Sequence, residues 1–163
     1  MAKLHQFKVQ MKWTGNLGKG TANYRAYSRN HEITGHEKTS PIAGSSDPLF
    51  RGDGSKYSPE ELLVASLSTC HLLWMLHLCA DAGIVLTEYT DAPTGTMLEN
   101  ADGSGQFTEV TLKPHMVITD ASRIDEAVQL NDKAHSLCFI ARSMNFPVLH
   151  KPVVVAASAA SPK

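Results

Sequence analysis

The chain has 163 residues, with 15 Lys plus Arg against 16 Asp plus Glu and a formal net charge of -1. Such a balance leaves no excess positive charge to hold a phosphate backbone, so no nucleic-acid partner is expected. With 42% hydrophobic and 19% charged residues, the chain can bury a core, and its length suits one domain over residues 1–163.

The opening residues, Met1 to Gln6, carry no apolar h-region and no cleavage pattern, and a cytoplasmic location is the expectation. Phe7, Val9, Met11 and Trp13 then alternate with Lys8, Gln10 and Lys12, the pattern of a strand with one wet face. Gly15, Gly18 and Gly20 mark a turn, and Ala22 to Tyr27, which includes Arg25, reads as the returning strand. Gly18-Lys19-Gly20-Thr21 lacks the full spacing of a phosphate loop and precedes no helix, so it reads as hairpin turn. His36 to Tyr57 is rich in Gly, Ser, Pro and Asp and predicts a long irregular connection, of the kind that often carries function. Arg51 lies within it.

A long helix follows. Ser58 is placed as N-cap, Pro59 fits the first helical position, Glu61 completes a capping box, and Gly83 supplies the C-terminal cap. The span is roughly 36 Å at ~1.5 Å per residue. Apolar residues occur on all its sides, which predicts a helix wrapped by other elements. Ser66, Ser68, Thr69, His71, His77 and Asp81 interrupt the apolar run, so it falls short of the ~18 consecutive residues of a membrane span. No membrane association is expected.

Ile84 to Met97 and Phe107 to Thr119 read as strands joined by the turn-rich Glu99–Gly105. A second helix is expected from Ser122, with Asp125 three residues on and Ile124, Ala127, Val128, Leu130 and Ala134 inward. It either continues to Asn145 or breaks near Ser136. Val153 to Val155 suggests a last strand, with a frayed tail over 156–163. The order of strands, long helix, strands, helix and strand gives an α+β domain.

Three cysteines in a chain with no export signal do not make a disulfide framework. Cys70 and Cys79, inside the long helix, have burial as their ordinary reading, since free Cys is among the most buried residue types. His71, Trp74 and His77 read as core packing on the same helix. If the second helical region breaks near Ser136, Cys138 heads a short helix whose dipole favours a thiolate. A zinc site from Cys70, His77, His135 and Cys138 is an alternative. However, Cys70 and His77 stand about 10 Å apart along a helix at ~1.5 Å per residue, too far to share one tetrahedral ion comfortably. Neither a metal nor a cofactor is expected.

Ser58-Pro-Glu-Glu-Leu-Leu, followed ten residues after Glu60 by Cys70, resembles the (N/S)-P-E-x-L…C segment of the OsmC/Ohr family of osmotically inducible and organic-hydroperoxide-resistance proteins. Ala134-His-Ser-Leu-Cys138 places a second cysteine where that family has one, and Trp13-Thr-Gly with Gly18–Thr21 is similar to the opening hairpin of the OsmC-like branch. The resemblance covers nearly the whole chain. It departs at Phe139, where many members have Pro, and in the bulk that His71 and Trp74 add beside Cys70.

The resemblance implies an OsmC-like fold, with antiparallel sheets around a long central helix in an intertwined homodimer. It implies a thiol peroxidase without haem, flavin or metal. Cys70 would attack an organic or lipid hydroperoxide and become a sulfenic acid. Cys138 would condense with it to a disulfide, and an external dithiol would reset the pair. An Arg holding the thiolate falls to Arg51, with Arg25 as the alternative, and the Glu orienting it falls to Glu60. Ten residues of helix separate Glu60 from Cys70 by about 15 Å at ~1.5 Å per residue. If Glu60 has the family role, the simpler expectation is that it serves the Cys70 of a second subunit. The alternative reading is a non-catalytic protein of the same fold that binds a small molecule or a metal, because fold and function are separable.

Overall fold

Ser58 opens the longest element by a reciprocal pair of hydrogen bonds. Glu61 N–H donates to Ser58 Oγ at 3.2 Å, while Ser58 N–H donates to Glu61 Oε2 at 2.8 Å, the capping box expected from the sequence. Helix α1 then runs Pro59–Asp81 in a computed structural model that describes residues 3–157. It stops at Gly83, whose φ of 69° is the left-handed conformation that glycine adopts without strain. By backbone contacts the chain divides into two compact units, one reaching to Leu62 and the other starting at Leu63.

The first unit holds β1 (Gln10–Trp13), β2 (His31–Thr34) and β3 (Ile42–Gly44), paired antiparallel in that order. The returning strand is β2, not Ala22 to Tyr27. Asn16 Oδ1 accepts from the N–H groups of Gly18 and Gly20 at 2.9 and 3.0 Å. Arg29 reaches back to the carbonyls of Tyr24 and Tyr27 and lies over both rings. These local bonds hold the intervening residues as successive turns, so Arg25 sits exposed in a turn and not on a strand. Likewise β3 lies inside the stretch expected to be wholly irregular. The strand begins at Gln10 and not at Phe7, and neither of its faces is buried, with Phe7, Val9 and Met11 92%, 74% and 71% exposed.

The second unit contains β4 (Leu86–Asp91), β5 (Thr94–Glu99), β6 (Gly105–Leu112), β7 (Pro114–Ile118), α2 (Ile124–Leu137), β8 (Val148–His150) and β9 (Val153–Ala156). Its sheets are ordered β4-β7-β9 and β5-β6-β8, with β8 and β9 added in parallel to antiparallel pairs. Two of the three sheets are therefore mixed, where antiparallel sheets were expected. Each long strand-like run splits in two, at Ala92-Pro93 and at Lys113-Pro114, because proline cannot donate to a ladder. Asp91 closes this corner. Its Oδ1 accepts from Lys113 N–H at 2.7 Å and its Oδ2 from the Ser68 hydroxyl on α1 at 2.6 Å.

Helix α2 departs from expectation at its start. Asp120, not Ser122, caps a 3-10 turn over Ala121–Arg123 that leads into it. Ala127 and Ala134 point inward as anticipated, but Asn131 is buried with them and Val128, expected inward, is 38% exposed. At the C-terminal end Ala156 belongs to β9, and Ala157 N–H donates to Ile118 O at 2.8 Å. The rest of the tail, 158–163, lies outside the described residues.

Two apolar cores meet α1. Met75, Leu78 and Cys79 pack with Ile84, Met116, Ile118, Ala127 and Ala134, while Leu67 packs with Val110, Leu112 and Val148. The buried residues of α1, Leu67, His71, Met75, Leu78 and Cys79, fall on one face at helical spacing. Across from it Leu73 and Leu76 are 60% and 45% exposed. Among the described residues the burial of α1 is thus concentrated on one side of the helix. By length and mean hydropathy α1 also matches a membrane span, a property shared by core helices whose inner face is packed as this one is.

Candidate functional site

Cys70 lies midway along α1 on the boundary between the packed and open faces, and it is partly exposed rather than buried filler. It lines an apolar groove of about 430 Å³ with Leu73, Trp74, His77 and Phe139. Trp74 meets Phe139 edge-on with centroids 6.0 Å apart, and His77 stands edge-on to Trp74 at 5.8 Å. His77 is exposed at the groove and not part of the core, whereas Trp74 is half-buried against it. Such walls admit an alkyl or aryl body and offer it few polar partners.

Cys138 comes to Cys70 from the other side. Helix α2 ends at Leu137, and Cys138 itself is extended, with φ −65° and ψ 110°. Its Sγ accepts a weak bond from Ala141 N–H at 3.4 Å, and its thiol adjoins that of Cys70. It is 1% exposed. Burial, followed by the contact with Cys70, pushes the Cys138 thiol up to about 11. The expectation of a thiolate favoured by a helix dipole is therefore corrected. The chain breaks near the predicted place, but only a 3-10 turn, Ala141–Ser143, follows, and desolvation outweighs its N–H groups.

Arg51 and Glu60 belong to the first unit. Arg51 is exposed and left-handed, with φ 64°, a conformation that costs a non-glycine residue roughly 1–2 kcal/mol. The loop around it is well tied. Leu49 N–H donates to Asp47 Oδ1 at 2.7 Å, and the N–H groups of Arg51 and Gly52 donate to the Pro48 and Asp47 carbonyls. Gly52 lies so close to Ser46 that a Cβ there would collide with the Ser46 carbonyl. Backbone strain held by surrounding bonds is common at functional sites. Glu60 is half-buried in the first turn of α1, and because the capping box uses Glu61, Glu60 is free of that task.

Sequence reading did not find His150 and Asn131. Both join His71 in the interior below Cys70, through a hydrogen bond from His71 Nε2 to Asn131 Oδ1 of 3.1 Å and a stacked pair with His150 at 5.8 Å. Only the pairing of β8 with β6 brings His150 there. Burial holds both His71 and His150 below the ordinary imidazole value. In the unfolded chain they titrate near ~6.5, so below that pH the unfolded state binds more protons than the folded one. The stability they support is complete above that pH and falls as pH drops through it, by up to ~1.4 kcal/mol per pH unit for His71. The urea midpoint should therefore fall from pH 7.5 to pH 5.5, and by less in His71→Gln. An unchanged midpoint would contradict this assignment.

Cys79 is buried in the first core, and burial raises its thiol. Cys79→Ala should cost about 1 kcal/mol in a urea melt, as a small buried group, and leave the reactions of the other two thiols unchanged. A large loss of those reactions in a folded Cys79→Ala chain would overturn its assignment to packing.

In this α+β fold the long helix carries Cys70 at an apolar groove and Cys79 in the core, and the Cys138 thiol adjoins that of Cys70. The family model for OsmC-like protein matches residues 52–151, and the chain belongs to that family. Among solved structures, an OsmC-like protein of unknown function from Vibrio cholerae is 26% identical, with a TM-score of 0.82 over 92% of this chain and 100% of that one. An organic hydroperoxide resistance protein from Elizabethkingia anophelis is 18% identical, with a TM-score of 0.62 over 94% of this chain and 99% of that one. Another from Legionella pneumophila is 17% identical, with a TM-score of 0.62 over 94% and 98%. No curated protein matches the chain.

Proposed function

We propose that the chain is a thiol peroxidase for organic or lipid hydroperoxides, acting through Cys70 and Cys138. The observation that supports this most is the meeting of the two thiols at an apolar groove: Cys70 is open to the groove and Cys138 is buried behind it. The Cys70 thiolate attacks the terminal peroxide oxygen, the O–O bond breaks, and the alkoxide leaves and takes a proton to become the alcohol. Cys70 is left as the sulfenic acid. Cys138 then attacks its sulfur, the S–S bond forms, and hydroxide leaves with the Cys138 proton as water. An external dithiol returns both sulfurs to thiols and is itself oxidised to a disulfide. Two organic hydroperoxide resistance proteins share the fold, which is consistent with this chemistry.

Arg51 is assigned to hold the thiolate and Glu60 to orient Arg51. The strained, well-braced Arg51 loop and the freedom of Glu60 from capping support those roles. Exposed Phe7, Val9 and Met11 in the first unit, and exposed Leu73, Leu76 and Phe139 in the second, leave apolar surface of the kind that a partner covers. A homodimer, with Glu60 given by one copy to the Cys70 of the other, accounts for that surface. Thiol counting tests the reading. One equivalent of cumene hydroperoxide should lower the free thiols from the three of the reduced chain to one, and three remaining thiols beside intact peroxide would refute it.

A further inference from the structure

His71 and Asn131 are both fully buried. The Asn131 amide nitrogen donates to Ala127 O at 2.9 Å and to Val128 O at 3.3 Å, so only its oxygen is offered to His71. His71 Nε2 must therefore carry the hydrogen and donate, which leaves Nδ1 as the bare ring nitrogen. That Nδ1 is buried without a partner, as are the Nδ1 atoms of His135 and His150. The three rings are stacked or tilted upon one another, His135 on His150 at 5.1 Å and His71 on His150 at 5.8 Å. Among the described residues no group of three His, Cys, Asp or Glu is arranged to hold a metal ion. His150 Nε2 also faces Asp132 Oδ1 on α2 at 3.5 Å, and the cluster's one side-chain hydrogen bond among the described residues is the one from His71 to Asn131.

Between the two helices proper it is the only side-chain hydrogen bond among the described residues, while at their ends Arg123, which caps α2, donates to Ala82 O at 3.0 Å just past α1. The core that both helices enter is otherwise apolar, with Met75, Leu78 and Cys79 of α1 and Ala127 and Ala134 of α2 among its buried members, and apolar contacts of this kind fix register weakly. Buried polar pairs are the devices that specify it. The bond also sits where register matters. His71 directly follows Cys70 on α1, and Asn131 stands on α2, whose last residue, Leu137, directly precedes Cys138. A disulfide needs Cα atoms within about 4.4–6.8 Å and a narrow dihedral range. Sliding α2 by one residue moves it ~1.5 Å and turns it ~100°, which aims Cys138 away from Cys70.

We propose that His71 and Asn131 are positioning residues whose bond sets the register of α2 on α1 in which the Cys138 and Cys70 sulfurs can join. The inference rests on the redox-pair reading for its purpose, and its test uses no peroxide. Dithiodipyridine supplies the oxidant. Cys70 attacks it, one thiopyridone leaves, and a mixed disulfide remains. Cys138 then attacks the Cys70 sulfur, forming the Cys70–Cys138 bond and expelling a second thiopyridone. The protein loses two electrons, the reagent gains them, and the two thiol protons end on the two thiopyridones.

Absorbance then shows two phases, attack and closure. Replacing both partners with apolar groups of similar shape preserves folding in general, so the His71→Leu/Asn131→Leu chain separates stability from register. Its first phase should match the parent and its second should be about tenfold slower or more, the scale of a misplacement near 1 Å. His71→Gln, which keeps an N–H at the same reach, should restore the second phase. If the double variant does not fold, Asn131→Ala takes its place with the same expectation. A folded double-Leu or Asn131→Ala chain that closes as fast as the parent overturns the proposal, as does a folded His71→Gln chain that closes no faster than the double variant. Closure that depends on His71, in a chain inert to cumene hydroperoxide, supports the register role and removes the peroxidase reading instead.

Discussion

Cys70→Ser should consume no organic hydroperoxide, and Cys138→Ser should consume one equivalent and stop. The first variant loses the only one of the three thiols that lines the groove. The second can still form the sulfenic acid but has no buried thiol to condense with it, so a dimedone-type probe should trap Cys70. Normal turnover of Cys138→Ser with an external dithiol would contradict the resolving role. In the parent, the position of the Cys138 thiol near about 11 adds a pH signature. Burial, which is unaltered by oxidation of Cys70, keeps its thiolate scarce at neutral pH, so the closing rate should rise with pH above neutral.

Mixing Cys70→Ser with Glu60→Ala, each inactive alone, should restore part of the parent activity. A mixed dimer would contain one site with an intact Cys70, Cys138 and a Glu60 from the other chain. The expected recovery follows from the lever arm of α1, where ten residues separate the two positions, about 15 Å at ~1.5 Å per residue. Sedimentation should show a dimer, and a stable, fully active monomer would rule out the shared site. The exposed leucines of α1 lead to the same expectation, because a helix apolar on both sides needs more cover than this chain gives it.

The elements most legible in the sequence were those specified locally. Ser58, Pro59, Glu61 and Gly83 set both ends of α1 because each acts on backbone groups within a few residues of itself. The strand alternation at Phe7–Trp13 gave β1, but its partner was misplaced, since Asn16 and Arg29 turn Ala22–Ser28 into loops through bonds that no periodicity announces. Pro93 and Pro114 were visible, yet their effect depends on a long-range bond from Lys113 N–H to Asp91. At the site, a resemblance of motif singled out Cys70 and Cys138, while the exposure of one and the burial of the other were not legible. The burial that raises Cys138 comes from packing after α2, and the His71–Asn131 pair spans 60 residues of sequence.

The most direct measurement is to treat the reduced chain with one equivalent of cumene hydroperoxide, quench in acid, and map the non-reduced peptides beside the alcohol formed. One equivalent of alcohol and a single linked peptide joining Cys70 to Cys138, with Cys79 free, is the expected result. Intact hydroperoxide with all three thiols free, or a linkage through Cys79, would contradict it.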